Sequence, residues 1–145
     1  MKRVRAIVID DDKLVLFIHQ IMIEDCQPVW DTDYFPDASS ALEFLKLRAS
    51  LKISFLVFLD INMPGMSGWD MLDEIEKNPF KEQIFVVLLT SSDNQSDKIK
   101  AGSYKNVKAY LTKPFKTKDF AELKANEALS VFFNNSLIKQ PASKS

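Results

Sequence analysis

Apolar residues along this chain come in two patterns. Residues 4–9, 55–59, 84–89 and 107–111 are short, nearly continuous apolar runs, and residues 29–35 form a weaker one. Runs of that length bounded by turn residues suit strands buried on both faces of a parallel sheet. Between them the apolar positions recur at helical spacing. Leu14, Phe17, Ile18 and Ile21 mark a helix over residues 13–25, with Asp12 placed to cap it. Val15, Leu16, Met22 and Ile23 make that helix more apolar than one face requires, which predicts a wide buried face, with a docking surface as the second reading. Asp37, Ser39 and Ser40 offer caps for a helix over residues 41–49. Ser67 and Asp70 form a capping-box pair, Trp69, Leu72 and Ile75 give the helix after it a core face, and Asn78-Pro79 ends it. The polar stretch 93–104 reads as a fourth helix. Residues 116–133, with Phe120, Leu123, Leu129 and Phe132, read as one final helix, and 134–145 as a short polar tail.

Strand and helix thus alternate five times. The expected architecture is α/β: a doubly wound five-stranded parallel sheet in the flavodoxin-like order 2-1-3-4-5, with helices on both faces. Residues 1–133 form one domain on this reading, and the tail is too short to hold an output domain.

The strand ends carry the chemistry. The first strand runs into Asp10 and Asp11, the third into Asp60, the fourth into Thr90 and the fifth into Lys113. In a parallel sheet these ends share one edge, where open α/β sheets bind ligands. Asn62, Pro64 and Gly65 force a loop directly after Asp60. Three carboxylates brought together repel unless a cation joins them. Magnesium suits them, being hard and oxygen-seeking. Asp60 as nucleophile, with a metal, the Lys113 ammonium and the Thr90 hydroxyl, makes a set for phosphoryl transfer. Taken singly, Asp11 could be a helix cap, Thr90 a strand end and Lys113 a surface lysine. Their occurrence together at four strand ends favours the site.

Composition narrows the rest. The chain has 145 residues, 46% hydrophobic and 27% charged, with a formal net charge of −1. That suits one globular domain and points to no nucleic-acid or membrane partner. No run approaches membrane-spanning length, no signal peptide is evident, and Cys26 is the single cysteine, so a cytoplasmic location is expected. Cys26 reads as a small buried residue, and His19, the single histidine, cannot build a His-rich metal site.

The motifs Ile7-Val8-Ile9-Asp10-Asp11, Leu59-Asp60-Ile61-Asn62-Met63-Pro64-Gly65-Met66-Ser67-Gly68, Leu88-Leu89-Thr90-Ser91 and Tyr110-Leu111-Thr112-Lys113-Pro114-Phe115 resemble those of the receiver domain of bacterial two-component response regulators, here of the single-domain type. The resemblance covers residues 4–133. It implies a phosphorelay switch rather than an enzyme, one that accepts a phosphoryl group on Asp60 from a histidine kinase or phosphotransfer protein and loses it slowly by itself. It implies a downstream protein partner that the sequence does not name. Asp10, Asp11, Asp60 and the backbone carbonyl of Asn62 are the implied magnesium ligands. Lys113 and Thr90 are implied to contact the phosphoryl group, and Thr90 and Tyr110 to form the switch pair. Asn62 and Ser92 are implied to set the lifetime of the phosphoryl group, and Pro114 to follow a cis bond. The polar 91–109 stretch and the Lys108-Ala109 pair depart from the family pattern and bear on the partner-facing surface. A competing enzymatic reading, a phosphatase of the haloacid dehalogenase type, would use Asp10 and Asp12, but Leu14 departs from its motif and Asp60 is left without a role.

Overall fold

A computed structural model describes residues 3–91 and 95–133. The strands are β1 (Arg3–Ile9), β2 (Asp31–Phe35), β3 (Ile53–Asp60), β4 (Ile84–Thr90) and β5 (Val107–Thr112). The helices are α1 (Lys13–Asp25), α2 (Ala38–Arg48), α3 (Gly68–Glu76), α4 (Gln95–Ala101), α5 (Thr117–Ala125) and the one-turn α6 (Ser130–Phe133). The sheet is parallel throughout, in the order β2-β1-β3-β4-β5. This is the expected doubly wound α/β fold.

Side chains alternate across a strand, so each strand feeds two cores. Ile7, Ile9, Val57, Leu59, Val86 and Leu88 meet α2 and α3 through Leu42, Leu45, Leu72 and Ile75. Val8, Leu56, Phe58, Val87 and Leu89 meet α1, α5 and α6 through Ile23, Leu123 and Phe132. The central strand β3 is buried from Ser54 to Asp60, as its continuous apolar run requires.

Local chemistry sets the helix starts. Asp12 accepts from the backbone N–H groups of Leu14 and Val15, and Ser67 and Asp70 complete a reciprocal capping box. Asp37 caps α2 through the Ser40 N–H, so that helix begins three residues before the predicted 41–49 span.

Three expectations are overturned. The predicted single helix over 116–133 is broken at Asn126, whose backbone is extended. Its side chain accepts from the Ala128 N–H (2.9 Å) and donates to the Lys108 carbonyl (3.0 Å). A cap and a long-range bond together outweigh helix continuity there, and a short 3-10 turn over Glu127–Leu129 leads into α6. The apolar stripe of α1 faces the other way from the prediction. Leu14 is 67% exposed, Phe17 57% and Ile21 51%, while His19 and Ile23 are buried. Cys26 is half-buried at the helix end rather than in the core.

The reversed face has a measurable consequence. Replacing Phe17 or Ile21 by Gln is expected to change unfolding free energy by no more than about 0.5 kcal/mol. Ile23→Ala is expected to cost roughly 2–4 kcal/mol. Urea unfolding of the three variants checks this, and a loss of several kcal/mol at Phe17 or Ile21 would put that face back in the core.

Candidate functional site

The ends of β1, β3, β4 and β5 converge because their backbones remain tied past the last strand residues. The Ile61 N–H donates to the Leu89 carbonyl (3.1 Å), and the Lys113 N–H to the Thr90 carbonyl (2.7 Å). The Asp10 N–H donates to the Phe35 carbonyl (3.2 Å). These bonds hold Asp10, Asp60 and Lys113 in register at one sheet edge.

Carboxylate oxygens of Asp10, Asp11 and Asp60 lie within 4.8 Å of one another. Asp10 and Asp60 are buried, and Asp11 is exposed at the rim. Asp10 Oδ2 receives the Lys113 Nζ at 2.9 Å, and its Oδ1 accepts from the Asp12 N–H at 2.9 Å. Asp60 Oδ1 accepts from the Asn62 N–H (3.2 Å) and lies 3.3 Å from Lys113 Nζ. The other oxygen, Asp60 Oδ2, is buried without a hydrogen-bond partner. Such an atom is costly in a fold unless another group uses it.

Charge sets the protonation of the cluster. Three carboxylates against one ammonium leave a formal balance of −2 in a small volume. Burial, and next the nearby Asp10, push the Asp60 carboxyl up from 3.8 to about 6 against the pull of Lys113. Burial acts to lower the Lys113 ammonium, but its contacts with Asp10 and Asp60 prevail and hold it above its usual value.

Thr90 is fully buried at the end of β4. Tyr110 pairs with Leu88 in register and packs on the α2–α3 side of the sheet, and its hydroxyl is buried. The Lys113–Pro114 peptide bond is cis. Asn62 is exposed in the loop after β3. Ser92 lies outside the described residues. The Asp12 carboxylate is committed to capping α1, so the Asp10–Asp12 pair of the phosphatase reading is not assembled.

Sequence reasoning assigned no role to two residues that pack against the backbone around the site. Gly68 opens α3 so close to β3 that a Cβ there would lie 2.7 Å from the Asp60 carbonyl oxygen and 2.8 Å from Ile61 Cα. Its N–H donates to the Ile61 carbonyl at 3.0 Å. Any larger residue would displace the backbone that carries Asp60. A glycine directly after a helix cap was the available signal. His19, the other, is buried on the inner face of α1, and its Nε2 accepts from the Phe115 N–H at 3.1 Å. Burial lowers its pKa, with Asp10 opposing and Lys113 assisting.

A family model described as the response regulator receiver domain matches residues 6–124. The chain belongs to that family. Response regulator Rcp1 of Synechocystis is 37% identical over 91 residues, a stretch covering 60% of this chain and 60% of Rcp1. A two component response regulator from Cytophaga hutchinsonii matches with a TM-score of 0.77 and 29% identity, covering 90% of this chain and 99% of that one. A CheY-like response regulator receiver domain protein from Methanospirillum hungatei gives a TM-score of 0.68 at 28% identity, over 91% of this chain and 98% of that one. Receiver domains are signalling switches rather than conventional enzymes, work with histidine kinases or phosphotransfer proteins, and bind magnesium at an acidic pocket. Among the described residues, the acidic group of this chain is the cluster of Asp10, Asp11 and Asp60. No helix among the described residues is long and apolar enough to cross a membrane.

The raised Asp60 pKa predicts a pH dependence. The folded chain holds the Asp60 proton more tightly than the unfolded chain does. That contribution to stability is complete below about pH 3.8 and is lost as pH rises to about 6. With chelator present, Asp60→Asn is therefore expected to be more stable than the parent at pH 7.5, by roughly 1–3 kcal/mol, and to lose that advantage near pH 4. Denaturant melts at the two pH values decide it, and an equal difference at both would remove the repulsion argument.

Proposed function

We propose that this receiver domain is a phosphorylatable switch whose phosphoacceptor is Asp60, supplied by a histidine kinase or a phosphotransfer protein. The observation that carries the reading is the buried, unpartnered Asp60 Oδ2 beside Lys113 and two further carboxylates. That oxygen attacks the phosphorus of the donor's phosphohistidine. A P–O bond to Asp60 forms, the P–N bond breaks, and its electron pair returns to the imidazole. Because such transfers pass through a loose transition state, positioning and charge stabilisation are what the protein supplies. Lys113 meets a phosphoryl oxygen from its place between Asp10 and Asp60. The Thr90 hydroxyl donates to another, and the movement couples to Tyr110. The state of the β4–β5 side is then read by α4, β5 and α5, where a downstream protein binds.

The donor set fits a hard divalent cation: a formal −2 balance and oxygen ligands only. Asp10, Asp11 and Asp60, with the Asn62 carbonyl, would hold magnesium. The ion supplies positive charge against the phosphoryl oxygens. Slow self-dephosphorylation follows from attack of water on the same phosphorus, with Asn62 and Ser92 flanking its path.

The exposed apolar face of α1 begins directly after the acidic cluster. Leu14, Phe17, Ile18 and Ile21 form a patch of the kind that marks a docking surface. A donor seated there brings its histidine to the rim beside Asp11.

With a small phosphodonor and magnesium, the parent is expected to gain one acid-labile phosphate per chain and Asp60→Asn none, read by intact-protein mass spectrometry. Undiminished incorporation in the variant would end the assignment. Magnesium is also expected to stabilise the parent by roughly 1.4 kcal/mol at about ten times its Kd, or about 3–5 °C in melting temperature. Asp11→Ala is expected to lose most of that shift. Equal shifts in both proteins would mean that these carboxylates do not share an ion.

A further inference from the structure

We propose that His19 is a positioning residue for Lys113, holding in place the segment that presents the ammonium to Asp10 and Asp60. The inference rests on the reading of Asp60 as phosphoacceptor and adds a residue to it.

The backbone donors of the β5–α5 connection can be followed one by one. The Lys113 N–H goes to the Thr90 carbonyl at 2.7 Å. Pro114 has no N–H. The Phe115 N–H goes to His19 Nε2 at 3.1 Å, and the Lys116 N–H to Asp119 Oδ2 at 2.9 Å. Lys113 and Pro114 are thus fixed on one side by β4 and on the other by a single imidazole nitrogen. His19 is 1% exposed, and Phe115 is equally deep, with its ring edge-on to His19 (6.4 Å), Phe58 (5.6 Å) and Phe120 (6.2 Å). Without His19 the Phe115 N–H would be buried with no acceptor in this contact, a loss that favours movement of the segment.

The bond also sets the tautomer. A nitrogen that accepts carries no proton, so the His19 proton resides on Nδ1. An apolar residue would fill this space without desolvating a second ring nitrogen. Packing alone therefore does not account for a histidine here, whereas an acceptor for Phe115 does. Lys113 Nζ sits 2.9 Å from Asp10 and 3.3 Å from Asp60, distances that a small backbone shift would change.

The test compares His19→Leu, which fills the space with an apolar side chain and removes the acceptor, with His19→Gln, whose Oε1 can reach where Nε2 stood. Phosphoryl uptake from a small phosphodonor at saturating magnesium is expected to slow roughly tenfold or more in His19→Leu and to recover most of that loss in His19→Gln. The Phe115 amide is expected to lose hydrogen-exchange protection in the first and regain it in the second. In the parent, nitrogen shifts of the His19 ring are expected to show Nδ1 protonated and Nε2 bare. Equal rates in parent and His19→Leu, equal slowing in both variants, or a proton on Nε2 would each overturn the proposal. If His19→Leu does not fold, His19→Asn, too short to reach the amide, replaces it, and equal rates for Asn and Gln would then count against the role. Should the parent itself take up no phosphoryl group, the reading of Asp60 fails, and the Phe115 amide exchange still decides whether His19 holds the segment.

Discussion

Two buried carboxylates share one ammonium at the edge of the sheet, with a third carboxylate at the rim, and much of the architecture serves to keep them there. Left free, Asp10 and Asp60 would separate or take up protons. They cannot separate, because each sits at the end of a buried strand whose backbone is tied to its neighbours beyond the last strand residue. Gly68 adds a second restraint by letting α3 start in contact with the Asp60 carbonyl. The strain then appears as the raised Asp60 pKa, as an oxygen without a partner, and as a demand for cations. On the proposed reading a phosphoryl group and a metal would relieve that cost, as expected where function opposes stability.

The alternation of side chains across the sheet divides the work. On one side, β1 and β3 meet α1, α5 and α6, where His19 lies beside Phe115 and the connection carrying Lys113. On the other, Tyr110 packs with Val86 and Leu88 over α3 and α4. On the proposed reading, charge is handled through the first side and response through the second. Both meet at the 2.7 Å Thr90–Lys113 backbone bond, which ties the end of β4 to the segment after β5.

The parts of the fold written in local sequence were legible. Apolar runs located the strands, and Asp12, Ser67 and Asp70 located helix starts, because caps and runs act over a few residues. The strand-end residues were legible too, since parallel topology alone brings Asp10, Asp60, Thr90 and Lys113 to one edge. The failures involve partners far away in the chain. Residues 14–18 and 21–23 of α1 are almost all apolar, so spacing showed a helix but not its inward side. The inner side is chosen by His19 and Ile23 meeting residues from the far end of the chain. Asn126 breaks the last helix through the Lys108 carbonyl, a contact no window around Asn126 contains. Gly68 was visible as a glycine, but its reason lies in β3.

If Asp60 is the phosphoacceptor as proposed, the charge balance gives a route from that local reaction to a distant face. Joining a phosphoryl group to Asp60 removes one carboxylate charge and adds roughly −1.5 to −2. The site becomes more negative, while its resident ammonium is still one. Lys113 is already shared between Asp10 and Asp60, so it cannot neutralise the product without loosening from Asp10. Further neutralisation must come from a cation or from hydroxyl donors brought closer, and Thr90 is the donor whose backbone already holds Lys113. A group that attracts Thr90 only in the phosphorylated state gives the differential contact that any switch between two states requires. On the proposed reading the change is taken up by Tyr110, which pairs with Leu88, two residues before Thr90. On the proposed reading the switch is driven by an excess of negative charge that one lysine cannot balance, and the Thr90 hydroxyl at the end of β4 is the donor drawn in.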